Sequence, residues 1–221
     1  SMLGKMSYDY EKDLAPISLV VTSPYLLVVH PSVPAKTIQQ LVALAKAQPG
    51  KINYSSSGNA SNLHVAVELF ANLAGVKMLH IPYKGGGPAL TAVLGGEADL
   101  SALAVSAVMP HVNAGRMRAL AITSPKRLPA LPQIPSAAEA VPGYDFASWV
   151  GVLAPSSTPA ALVNNISGMI VKAARAPDLV DRFTKDATDV VANSPAEFKT
   201  FIQSEAKRWA KVVKDSGMRA D

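Results

Sequence analysis

A chain of 221 residues, 49% of them hydrophobic and 17% charged, is long enough to bury a real core and too apolar to be disordered. It has no cysteine, which excludes a disulfide scaffold, a thiolate metal site and a cysteine nucleophile. The net charge of +5 comes from scattered residues (Lys36, Lys46, Lys51, Arg116, Arg118, Lys126, Arg127) with no aromatic interleaving, so it describes a solvated basic surface and not a nucleic-acid footprint; no run approaches the about 20 apolar residues that span a bilayer.

In chain order, residues 17–21 and 26–30 read as two β-rich runs separated by Ser23-Pro24. Pro31 and Pro34 lead into a helix over 35–47, with Ile38, Leu41, Val42 and Ala45 on one face and Pro49-Gly50 as its stop. Residues 51–55 form a short strand feeding a polar loop. The next helix spans 60–74, with Leu63, Val67, Phe70 and Ala74 on one face and Gly75 at its end. A strand over 76–81 feeds the loop 82–87. Pro88 suits the first turn of the helix that follows, where its missing N–H costs nothing, and Gly95-Gly96 ends that helix. A strand at 98–104, a helix at 106–114 and a strand at 117–123 complete a βαβα alternation. Short connections of this kind imply a mostly parallel sheet with helices on both faces.

The character changes at Ser124. Pro125, Pro129, Pro132, Pro135 and Pro142 make 124–143 a long, stiff surface connection. A strand at 149–154, helices at 159–174 and 177–185 and a short strand at 188–192 follow. The last helix opens on Ser194-Pro195-Ala196-Glu197, a capping-box spacing with proline at the first helical position. It carries Phe198, Phe201, Ile202, Trp209, Val212 and Val213 to a stop at Gly217.

Catalytic patterns are scarce. There is no G-x-S-x-G elbow, and no spacing supports a triad of Ser57, His64 and Asp99. His64 and Glu68 stand at helical i, i+4 spacing, but no third metal ligand is near, and they read as a hydrogen-bonding pair on a helix surface. His30, His80 and His111 adjoin prolines or strand ends and read as structural. More informative are two polar loops, Tyr54 to His64 and Ile81 to Leu90. Each lies between a strand-like and a helix-like run, so backbone N–H groups and a helix N-terminus converge on one point suited to a carboxylate. Gly58 and Gly85 to Gly87 allow close backbone approach. Neither loop matches a dinucleotide or P-loop fingerprint. Tyr83 and Lys84 read either as ligand contacts or as an exposed turn tip.

These loops carry a resemblance. Residues 33–59, from Val33-Pro34-Ala35-Lys36 through Tyr54-Ser55-Ser56-Ser57-Gly58-Asn59, closely resemble the Bug (TctC-type) extracytoplasmic solute receptors of tripartite tricarboxylate transporters. The likeness continues through His80-Ile81-Pro82-Tyr83-Lys84-Gly85, through 110–124 and 148–155, and to Arg208-Trp209 near the end, covering nearly everything from Tyr8 onward. It implies an α/β type II periplasmic-binding-protein fold in which two lobes joined by crossing strands close on a small carboxylate for a membrane permease. No catalytic step, cofactor or metal is implied, and the location implied is periplasmic. Ser1 to Lys5 carry no apolar leader core, so that location rests on the resemblance. The family pattern assigns Ser57, Gly58, Asn59, Ser61 and His64 to one side of the cleft and Tyr83, Lys84 and Gly85 to another part of the same lobe. That lobe is expected at 20–123, with crossing strands at 20–23 and 119–123. The other is expected from 1–19 with 124–221, and as incomplete, because typical members begin well before this chain does. Where members carry an aspartate after the strand at Ala98, this chain has Leu103, which argues for a ligand with an apolar portion and against an amino acid.

Two other classes compete. An effector-sensing domain of a transcription regulator shares this fold, but such regulators carry a helix-turn-helix before it, which 16 residues ahead of Ile17 do not supply. A small-molecule enzyme would use His64 or Lys84 as base. The incomplete lobe is further expected to expose Trp149, Phe198, Trp209 and Val213, to dimerise through them and to bind carboxylates poorly.

Overall fold

The computed structural model describes residues 7–216. The chain divides into two compact units, one formed by the segment up to Ser23 with Ser148–Lys214 and the other by Pro24–Ala147.

Strand β1 (Leu14–Val29) runs unbroken past Ser23-Pro24, where two separate runs were expected. A proline without an N–H is tolerated there because the strand changes partners at that point. Val21 and Thr22 pair with β7 (Asp189–Val190), and Tyr25 onward pairs with β4 (Leu100–Ala104) and β5 (Arg118–Ile122). In the Pro24–Ala147 unit, β2 (Asn53–Ser56) lies between β3 (Leu79–Pro82) and β4, parallel to both, and the strand order is β3-β2-β4-β1-β5. The sheet is therefore mixed. The strands linked by helices all point one way, as the alternation predicts, and β1 is inserted in the opposite direction between β4 and β5. Leu26, Leu27, Val28 and Val29 are wholly buried, the mark of a central strand covered on both faces.

The helices follow the pattern closely. Helix α1 (Ile38–Ala47) starts later than expected because the Thr37 side chain accepts from Gln40 N at 3.2 Å and so caps it. Helix α2 (Asn62–Ala74) buries Leu63, Val67 and Phe70 and ends at Gly75 in the left-handed region. Helices α3 (Gly86–Leu94) and α4 (Val105–Asn113) follow β3 and β4.

The proline-rich stretch was expected with the other lobe, but it packs onto this unit. Its middle is hydrogen-bonded to β5, Ile122 N to Pro135 O at 2.8 Å, and just past its end Phe146 N donates to Thr123 O, the residue after β5, at 2.9 Å. Tyr144 is fully buried, donates its hydroxyl to Ala66 O at 3.0 Å and meets Phe70 edge-on. The stretch is a clasp over α2 as well as a connection.

In the other unit, the first part of β1 pairs with β6 (Ala147–Pro155) and β7, beside α5 (Ala160–Ala174), α6 (Pro177–Lys185) and α7 (Pro195–Ser216). The capping box forms: Ser194 N donates to Glu197 Oε2 at 2.8 Å and Glu197 N to Ser194 Oγ at 3.3 Å. Phe198 was expected on an exposed surface. It is instead fully buried against Trp149, with Gly151 making room for its ring. The expected stop at Gly217 lies outside the described residues.

Candidate functional site

The strands β2, β3 and β4 are parallel neighbours, so the loops after them gather at one end of the sheet, where open α/β sheets bind ligands. The loops 57–61 and 83–85 lie side by side. Tyr83 N donates to Ser56 O at 2.9 Å, and the space a Cβ on Gly58 would occupy is 3.7 Å from Tyr83 O. Gly58 has φ +124°, a conformation few other residues adopt, and so lets the first loop fold against the second.

The first loop is held from beneath. Ser61 caps α2, its hydroxyl accepting from His64 N at 3.4 Å. Ala60, at φ +59°, donates its N–H to His64 Nδ1 at 3.0 Å. Ser56 Oγ donates to Gly58 O at 3.0 Å, accepts from Gly58 N at 3.2 Å and meets His80 Nε2 at 2.6 Å. The His64 and His80 rings stack with centroids 3.8 Å apart, and Tyr54 lies beside both, 5.0 Å from the His80 ring and 6.1 Å from the His64 ring. The Tyr54 hydroxyl donates to the Glu68 carboxylate, which stands 3.9 Å from His64 Nε2. Burial, reinforced by that carboxylate, pushes the Tyr54 phenol above its ordinary range, and burial pushes His64 below its own.

His64 and Glu68 are thus not a surface pair, since His64 is buried under the loop it supports. Among the described residues no group of three or more His, Asp or Glu side chains is arranged to hold a metal ion.

The second loop is built differently. Gly85, at φ +109°, gives α3 no side-chain cap, and Pro88 in the first turn has no N–H, so Gly86 and Gly87 open the helix with nothing crowding them. Helix geometry leaves such first-turn N–H groups without intrahelical acceptors. Ser55 Oγ donates to Ala89 O at 2.9 Å and Ser101 Oγ to Ser55 O at 2.9 Å, a buried ladder that fixes α3 against the sheet. Lys84 is exposed and Tyr83 half-buried at the rim. Leu103 is buried near the end of β4, and α4 likewise starts without a side-chain cap.

The structure therefore brings Ser57, Gly58, Asn59 and Ser61 together with Tyr83, Lys84 and Gly85 at one end of the sheet. Leu103 lies at the matching end of β4, and His64 lies beneath them. Sequence reasoning missed Ser56 and the pairing of His80 with His64. The sequence carries no signal for it: the register sets His80 beside Tyr54, and His64 reaches His80 from α2. At the other end of the sheet, a hollow of about 430 Å³ bordered by Pro31, Lys36 and Arg118 is structural, because Arg118 donates to Val33 O and Ala35 O.

A two-unit α/β protein with convergent βα loops is the architecture of a solute receptor, and the comparisons with known proteins agree. The model of the tripartite tricarboxylate transporter family receptor (TctC) matches residues 1–218, and the chain belongs to that family. It is 32% identical over 220 residues to the protein BugT of Bordetella pertussis, covering 99% of this chain and 68% of that one. Its fold matches that of R. palustris Rpa4515 with adipate at a TM-score of 0.90 and 32% identity, over 98% of this chain and 73% of the other. MatC (Rpa3494) from Rhodopseudomonas palustris with bound malate matches at 0.86 and 27%, over 96% and 74%. The chain spans 65% to 68% of the length of such curated relatives. The type II periplasmic-binding architecture and the Bug/TctC assignment expected from sequence both hold, and the family is one of receptors, not of enzymes.

Proposed function

We propose that this chain carries the carboxylate-binding face of a solute receptor, and that its ligand is a small dicarboxylate with an apolar middle. The observation that carries the reading is the adjacency of two βα loops, one ending in a helix start without a cap, beside the lysine at position 84. Backbone N–H groups and the partial positive charge of α3 receive one carboxylate, with Ser57, Gly58, Asn59 and Ser61 as its polar neighbours. Tyr83 and Lys84 close the rim, and Leu103 presents an apolar surface where an acidic group would favour an amine. The solved relatives with adipate and malate support this ligand class. On this reading the chain turns over no substrate and needs no metal or cofactor. It works in the periplasm and hands its ligand to a membrane permease. The exposed Val150, Leu162 and Met169 of the other unit favour association of two copies, which light scattering reads directly; a monomer at all concentrations removes that part.

Calorimetry with adipate, malate and glutamate tests the ligand class. Adipate is expected to bind most tightly and glutamate most weakly. Asn59→Asp should weaken adipate binding at least tenfold, because a new negative charge faces the ligand at close range, whereas Lys126→Ala should change it little. Equal losses in the two variants would remove the loop from the site.

A further inference from the structure

We infer that the stacked His64–His80 pair is a positioning layer that makes the binding loop, and with it ligand affinity, depend on pH; the affinity part rests on the function proposed above. One hydrogen bond fixes the protonation state of His64. Ala60 is a non-glycine residue in the left-handed region, and its N–H is given to His64 Nδ1 at 3.0 Å. An imidazole nitrogen accepts only while it is unprotonated. The loop geometry therefore requires His64 to be neutral with its proton on Nε2, pointing towards Glu68 Oε1 at 3.9 Å. A proton added to Nδ1 turns the acceptor into a donor facing another donor. The turn over residues 57–60 then has no reason to hold Ala60 at positive φ.

His80 couples the same event to Gly58. Ser56 Oγ has one proton, and when that goes to Gly58 O the hydroxyl oxygen accepts from both Gly58 N and His80 Nε2. Two rings 3.8 Å apart do not both carry charge at low cost: a proton on His64 Nδ1 removes the Ala60 contact, whereas charged His80 still donates to Ser56 from Nε2 and acts by disfavouring charge on the ring stacked against it. The ionisable groups facing the pair are Glu68 from α2 and Tyr54 from β2. Tyr54 stays neutral. The Glu68 carboxylate draws some charge to His64, but it is already engaged by the Tyr54 hydroxyl and lies beyond hydrogen-bond range of Nε2. Burial disfavours the charged ring and sets the direction. The loop is intact at and above neutral pH and opens as the solution falls below the ordinary histidine range.

The test has two arms. In the ligand-free protein, nitrogen-15 NMR follows the His64 ring and the Gly58 and Ala60 amides through a pH titration. The His64 midpoint is expected below 6.5, with both amides shifting at the same midpoint. In the second arm, adipate affinity is measured from pH 8 to pH 5 for the native chain and for His64→Asn, whose Oδ1 accepts from Ala60 N but takes no proton. Below the His64 midpoint the native affinity is expected to fall about tenfold per pH unit relative to the variant. Adipate's own carboxyl titration is common to both proteins and cancels in the ratio. Loop amides that do not follow His64, or a His64→Asn ratio constant across pH, would overturn the inference. If adipate, malate and glutamate all fail to bind at pH 8 while the amides do follow His64, the positioning layer stands and the proposed ligand class is what fails.

Discussion

The unit Pro24–Ala147 and the unit built around residues 14–23 and 148–214 bury their apolar residues to different depths. The first has a central strand with four consecutive wholly buried residues and a proline-rich clasp whose Tyr144 reaches α2. The second is anchored by Phe198 against Trp149 and Gly151, while none of the nine residues of α6 is buried and Met169 on α5 is 65% exposed. The two candidate loops belong to the deeply packed unit. Loops that must hold donors at fixed positions need strands that do not move, and a ladder such as Ser101–Ser55–Ala89 forms only where the surrounding core is complete.

Core deletions in the two units should differ most in cost. Phe70→Ala removes a fully buried ring that also seats Tyr144, and is expected to cost about 3–5 kcal/mol in urea unfolding. Phe183→Ala in α6 removes a ring of similar size from a helix with no buried residue and is expected to cost about 1 kcal/mol or less. Similar losses would mean that the two units are equally well packed. An intermediate effect sharpens the picture of the shallower unit. A Cβ at Gly151 would fall 2.1 Å from Phe198 Cζ, so Gly151→Ala should cost about 1–3 kcal/mol by displacing a ring that this unit buries completely. An unchanged midpoint would show that the Phe198 ring has room to move and that its packing is looser still.

Much of this was legible beforehand, for reasons that differ by region. Apolar periodicity located α1 and α2, and Gly75 marked an end that the backbone takes in the left-handed region. Alternation of strands and helices put both loops at one end of a sheet, because βα connections leave no other place for them. Direction was harder. Nothing local in 24–29 states that β1 runs against its neighbours, since a central strand is uniformly apolar whichever way it points. The proline-rich stretch misled for a related reason. Prolines mark stiffness but not destination, and the residues that bind it, Tyr144 and Phe146, act over long sequence separations. The His64–His80 stack was missed because each histidine, read alone, looks like an ordinary structural residue. What joins them is the packing of α2 over the strands, which lays His64 on the His80 ring.

The smallest expected effect concerns the clasp itself. Arg127 donates to Glu139 through Nε and Nη2, both at 2.7 Å, and to Pro132 O at 3.2 Å. Ser136 N adds a further hydrogen bond to the same carboxylate at 2.9 Å. The guanidinium first, and the backbone N–H second, hold Glu139 down to about 2. A carboxyl with a lowered pKa in the folded state contributes stability that is fully present above about 4.5 and fades as the pH falls towards 2. Both side chains are exposed, so solvent screens the pair and its deletion should leave the unfolding midpoint at neutral pH almost unmoved. The titration should nonetheless move. Arg127→Ala is expected to raise the Glu139 midpoint towards the ordinary glutamate range but not all the way, because Ser136 N remains. Carboxyl carbon-13 NMR measures this directly. A midpoint that stays near 2 would assign the depression to the turn at Ser136 alone, and the clasp would then be held by its buried Tyr144 end, with its ion pair contributing nothing.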